Sequence, residues 1–181
     1  MFTRNWSRLL AAFISENSDK IEYKSVTGAS NRVSGANNTF LRLGAAGMAD
    51  AAYLASLYKV RTSYGTHGGV VIGTGTTPPT ADDYALSGDI ISTFSASASV
   101  ERFNDENGAG VTATYMITNT GTSDFTIGEI GLIANISHST YSSSTNTLKA
   151  LLERTVLDAP VTIPAGGIGQ VVYTIRVNYP T

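Results

Sequence analysis

Val111-Thr112-Ala113-Thr114-Tyr115-Met116-Ile117-Thr118 carries Val111, Ala113, Tyr115 and Ile117 at every second position. Gln170-Val171-Val172-Tyr173-Thr174-Ile175-Arg176-Val177 does the same with Val171, Tyr173, Ile175 and Val177. Side chains in a strand alternate faces, so each run reads as a strand with one buried face. These two runs decide the fold class. No constellation of His, Asp and Glu interrupts the pattern.

Outward from these runs the same grammar continues. Val70-Val71-Ile72 reads as a strand, closed by Gly73-Thr74-Gly75-Thr76-Thr77-Pro78-Pro79. Further strands are expected near 90–103, 125–136, 148–157 and 161–163, and the two opening runs fill 111–118 and 170–178. Turns fall at Asn104 to Gly108, Asn119 to Ser123, 137–147, Asp158-Ala159-Pro160 and Pro164 to Gly167. Strands separated by such turns indicate an all-β sandwich or barrel. Phe125 and Ile127 share a face, whereas Ile130, Leu132 and Ala134 are one step out of phase. A β-bulge at Gly128 would bring both sets to the core.

Upstream, Phe2, Trp6, Leu9, Leu10 and Phe13 fall at helical spacing, so a short helix is expected over 2–14. A helix this short is marginal alone, so its apolar stripe needs a partner. Two partners are open: the chain's own β region, or a neighbouring subunit on which the segment docks as an arm. Residues 15–44 are polar and turn-rich, with short extended pieces at Ile21 to Val26 and Thr39 to Leu43. Residues 47–56 favour a helix and 57–63 a strand. The chain therefore divides into 1–66, an N-terminal helix and extended arm, and 67–181, a β-sandwich.

Composition narrows the function classes. Of 181 residues, 14% are charged, against a usual ~25%. Ser and Thr supply the polarity, as suits strands and turns. The formal net charge of −2 and the scattered Lys and Arg give no footprint for nucleic acid. No run approaches the ~20 apolar residues of a membrane-spanning helix, and no secretion signal is read. The absence of cysteine excludes disulfides and thiolate metal sites.

The remaining chemistry reduces to bland readings. His67 and His138 lack carboxylates at ligand or triad spacing. Gly73-Thr74-Gly75 has Pro78-Pro79 where a phosphate-binding helix would begin, so it reads as a turn whose glycines supply unusual dihedrals. Asp82-Asp83 and Asp105-Glu106-Asn107 lack the spacing of a Ca²⁺ loop and read as side-chain-stabilised turns. Glu129 and Glu153 lie inside strands, and Arg154 and Arg176 offer them salt bridges on a polar face. Tyr64, Tyr84 and Tyr141 lie in or near loops and are the candidates for a sugar-stacking platform.

Three stretches in order carry a resemblance: VIGTGTTPPTADDYAL (71–86), TNTGTSDFTIGEIGL (118–132) and LLERTVLDAPVTIPAGG (151–167). Together, over about 68–178, they resemble a family of small β-sandwich virion proteins of tailed bacteriophages. The opening Met-Phe-Thr-Arg-Asn-Trp is similar to members from gut-type phages. The resemblance implies an antiparallel β-sandwich of jelly-roll or Ig-like type, present in many copies in the virion. It implies a non-enzymatic tail, neck or baseplate subunit; the alternatives are a capsid decoration or head-fibre protein, or a glycan- or receptor-binding module. Its implied partners are other virion proteins and further copies of itself, a homo-oligomer. Nucleic acid, membrane, small-molecule ligand, cofactor and metal are not expected. No catalytic residues come with it, and Phe2, Trp6, Leu9, Leu10 and Phe13 are the candidate inter-subunit contacts.

Overall fold

Alternation sets the pairing in the second half of the chain. The computed structural model describes residues 1–8, 21–33, 40–42, 60–64, 68–139 and 145–178. Its strands are β1 (Ile21–Lys24), β2 (Ser30–Val33), β3 (Phe40–Arg42), β4 (Val60–Arg61), β5 (Gly69–Gly73), β6 (Phe94–Asp105), β7 (Gly108–Asn119), β8 (Phe125–Ser139), β9 (Thr145–Ile163) and β10 (Ile168–Asn178). The fold is all-β, with one helical turn, at 4–8, among the described residues.

Three long strands form one antiparallel sheet in the order β10-β7-β6. The β6–β7 turn is held by Asp105, whose Oδ1 accepts from the N–H of Asn107 at 2.9 Å and of Gly108 at 3.1 Å. This is the side-chain-stabilised turn that the sequence suggests. The alternation places Val111, Ala113, Tyr115 and Ile117 inward, with Val171, Tyr173 and Ile175 beside them across the ladder. Val177 continues the phase but lies past the core and is 69% exposed.

In the other main sheet β8 is central. It pairs with β9 along one edge. Its other edge pairs with β5 and, further along, with β3. The two-residue β4 joins β5 in parallel, the one departure from antiparallel pairing among the described strands. Val70, Ile72, Ile127, Ile130, Leu132, Ala150 and Leu152 of this sheet share a core with Ala113, Tyr115, Ile117 and Tyr173 of the three-stranded sheet. Tyr23, Trp6 and Val60 join the same core from upstream. A smaller cluster of Val71, Leu86, Ile133 and Leu151 covers the opposite face.

The expected irregularity falls at Gly128. The ladder runs from Ile127↔Val161 directly to Glu129↔Val156, so Gly128 faces the stretch from Leu157 to Pro160. Ile127 and Ile130 both reach the main core as a result. Asp158-Ala159-Pro160, read from sequence as a turn, lies inside the continuous β9. Proline lacks the N–H that a regular ladder needs, and a bulge removes that need. Ser30 and Asn31, within the turn-rich stretch 15–44, belong to β2, because the register with β1 places the turn earlier, at 25–29. Of the helix expected over 2–14, residues 4–8 are helical and 9–14 lie outside the described residues. The helix expected over 47–56 also lies outside them.

Candidate functional site

Arg154 and Glu129 are the most buried charges among the described residues. Arg154 is 1% exposed and Glu129 0%. Register puts Arg154 opposite Gly131, so it points to the same face as Glu129, under the segment 74–89. Its Nε donates to Glu129 Oε2 at 2.6 Å and its Nη1 to Asp83 Oδ2 at 2.7 Å. Its Nη2 donates to the Thr77 carbonyl at 2.7 Å and to Ser87 Oγ at 2.6 Å. Glu129 Oε1 accepts the N–H of Gly88 at 2.7 Å and of Gly75 at 3.1 Å, and Oε2 that of Ser87 at 3.1 Å. One cross-strand pair thus ties both ends of the 74–89 segment to the sheet. The salt bridge expected at Glu129 exists, but it is buried rather than on a polar face, because that segment folds over it.

The electrostatics follow. Burial alone would raise the Glu129 carboxyl, but hydrogen bonds from Gly88, Arg154 and Ser87 outweigh it and hold the group below the usual carboxylate range. Asp83 is likewise held low: burial is outweighed by the N–H and hydroxyl of Thr80 and by Arg154. Gly73 and Gly75 do not carry the positive φ that their turn reading suggests; among the described residues the left-handed glycines are Gly28 and Gly166, with Gly69 at φ 155°. Gly75 is required for space instead. A Cβ there would collide with the Glu129 carboxylate and Ser87 Oγ.

Glu153 lies on the opposite face, level with Leu132. Its Oε1 accepts from the Met1 ammonium at 2.5 Å and from Thr155 Oγ1 at 2.6 Å, and its Oε2 accepts from Tyr173 Oη at 2.6 Å. Burial, then the Glu153 charge, push the Tyr173 hydroxyl well above its ordinary range. Glu129 and Glu153 are therefore not a facing carboxylate pair, and each is engaged in holding elements together. Arg176, the other expected partner, binds Asp105 at 2.5 Å and lies over the Phe103 ring, 5.2 Å from its centroid.

The N-terminal residues dock on their own chain. Thr3 N–H donates to the Leu152 carbonyl at 2.9 Å and Arg154 N–H to that of Met1 at 3.0 Å, so Met1 to Thr3 lie as a short strand along the outer edge of β9. Asn5 then reads the backbone of Lys24 in both directions, donating at 2.8 Å and accepting at 2.9 Å. Trp6 is half-buried against the main core, and Phe2 stacks on it at 5.1 Å with 41% exposure. Leu9, Leu10 and Phe13 lie outside the described residues.

Of the tyrosines, Tyr64 is packed at the smaller cluster and its hydroxyl accepts from Leu86 N–H at 2.7 Å. Tyr84 lies under Lys24 and beside Gly28. Tyr141 and His67 lie outside the described residues. No group of three or more metal-ligating side chains, and no helix long and apolar enough to cross a membrane, occurs among the described residues.

The exposed surface lies elsewhere. The outward face of the three-stranded sheet carries Ser95, Ser97 and Ser99 on β6, Thr112, Thr114 and Met116 on β7, and Gln170, Val172 and Thr174 on β10. Large apolar side chains remain in solvent along β10 and beside it: Ile168 is 65% exposed, Val172 57%, Val161 49% and Met116 43%. β6 and β10 each pair with β7 alone among the described strands, so each has one open edge. Where the open edge of β10 passes β9, a cleft of about 440 Å³ forms between Phe2, Ile130, Leu157, Tyr173 and Ile175. A second, of about 170 Å³, continues it past Val161, Ile163 and Val171. Sequence reasoning missed this surface. Its signal was present in Ile168 and Val172, apolar residues in the outward phase of β10. Comparison with known family models, with curated proteins and with solved structures finds no match to this chain.

Proposed function

We propose that this chain is a non-enzymatic structural subunit of a tailed-phage virion, in the tail, neck or baseplate, acting through protein–protein contacts. One observation carries the reading: the exposed apolar side chains gather on β10 and its neighbours, beside open strand edges. Long open edges are templates for pairing with another chain, and natural proteins blunt them with charge, proline or a cover. β10 has one charged residue, Arg176, and no proline. The buried charges among the described residues, by contrast, are spent on the fold: Glu129 and Arg154, with the partly buried Asp83, on the 74–89 segment, and Glu153 on Tyr173 and the Met1 ammonium.

The order of the three phage-like stretches supports the virion assignment. So does the core shared by the two main sheets, which we read as an antiparallel β-sandwich. The partners are then other virion proteins and further copies of this chain, with no nucleic acid or membrane among them. Quantitative mass spectrometry of purified particles tests the proposal. Stoichiometric, multi-copy presence relative to a known virion protein is the expected result. A chain abundant in infected cells yet missing from particles would overturn it.

A further inference from the structure

β6 and β10 are the two rims of one sheet, and they match. Both are registered on β7, with Asp105 and Asn178 level with Gly108 at one end, and Phe94 and Ile168 level with Asn119 and Thr118 at the other. Both run antiparallel to β7, so they run in the same direction as each other. A second copy that keeps the same face outward could therefore set its β6 against the open edge of β10 only as a parallel pair, and rims of 12 and 11 residues allow the strand ends to lie level.

We propose that the open edge of β10 receives β6 of a second copy of this chain, joining copies head to tail through a continuous sheet. This names a partner for the protein–protein contacts proposed above and rests on that reading. Side-chain size supports it. Through β7, Ile168 is level with Ser95, Gln170 with Ser97 and Val172 with Ser99, so the large exposed residues of one rim meet the small residues of the other. Arg176, the one charge on β10, turns away from that edge, across β7 to its own Asp105 and Phe103, so the edge is left to Ile168, Gln170, Val172 and Thr174. A contact of this kind uses different surfaces on the two copies, so it repeats until a ring closes or a filament grows.

The chain contains no cysteine, which makes disulfide trapping clean. Ser97→Cys and Gln170→Cys are made separately, one with an affinity tag, and checked for wild-type circular dichroism and melting. The expected result is a disulfide dimer containing one of each when the two are mixed under mild oxidation, with little product from either alone. Ser99→Cys with Val172→Cys covers the next outward position. A double variant carrying both Ser97→Cys and Gln170→Cys should give trimers and higher ladders. Within one copy the two positions are separated by β7, roughly 10 Å from two strand spacings, beyond the ~7 Å that a disulfide spans. Failure of both mixed pairs, or self-dimers of one variant equal to the mixed product, overturns the proposal. Trapping without presence in particles would retain the contact and remove the virion reading; the reverse result would remove only the contact.

Discussion

Arg154 is a guanidinium at 1% exposure with its donors directed to Glu129, Asp83, Ser87 and the Thr77 carbonyl. Removing one partner of a buried pair leaves the other charge uncompensated, which costs about 3–5 kcal/mol. We therefore expect Arg154→Met to lower the unfolding free energy by about that amount in urea titration. We also expect it to release the 74–89 segment to proteolysis. The same network sets an acid limit. Glu129 and Asp83 have folded pKa values below their ordinary range, so their contribution is present above the unfolded carboxylate pKa of ~4 and is lost as pH falls through the folded values. Stability measured from pH 6 downward should fall through and below that range, and Glu129→Gln should flatten the curve. Sequence offered Arg154 and Arg176 as partners for Glu129 and Glu153 without assigning pairs; Arg154 takes Glu129, while Arg176 goes to Asp105. The burial of the Glu129–Arg154 pair was not legible. Nothing local in Thr76-Thr77-Pro78-Pro79 says that this turn folds back over the sheet.

At the scale of elements, Gly128 shows how a phase error in sequence becomes a bulge in structure. A Cβ at this position would come within 2.5 Å of the Gly75 carbonyl and 2.9 Å of the Thr74 carbonyl. Both contacts are backbone, so the segment must shift. We expect Gly128→Ala to cost about 1–3 kcal/mol, the range for overpacking, read from its thermal or urea midpoint. The bulge was readable because Phe125, Ile127, Ile130 and Leu132 cannot share one face of a regular strand. The role of the first three residues was not. Phe2 and Trp6 fit a helical stripe, yet Phe2 bridges to Glu153 before the helical turn begins. The open edge of β9 supplies backbone partners there, and tertiary pairing overrides the local signal. Trp6 packs on its own core, so Trp6→Ala should cost about 2 kcal/mol in the isolated protein.

At the scale of the whole molecule, two sheets share a core, while the rims of the three-stranded sheet remain open among the described strands. The all-β class and the inward faces of β7 and β10 were legible from alternation, because burial of one face imposes a period of two. The outward face was not legible as a surface of interest. Ser and Thr there read as ordinary solvent-facing residues, and only the assembled sheet shows Ile168 and Val172 lined up along an open edge. A charge at Val172 separates folding from assembly. Val172→Asp should leave the melting temperature nearly unchanged, because the site is 57% exposed. It should sharply reduce incorporation into particles, read by quantitative mass spectrometry. The most direct test of the chain as an assembled subunit is a cryo-EM reconstruction of the particle at side-chain resolution. Density for this fold is expected in repeated copies, with the β10 rim and the Met116–Val172 face covered by neighbouring chains. Particles without the chain, or with that rim and face open to solvent in every copy, would contradict it.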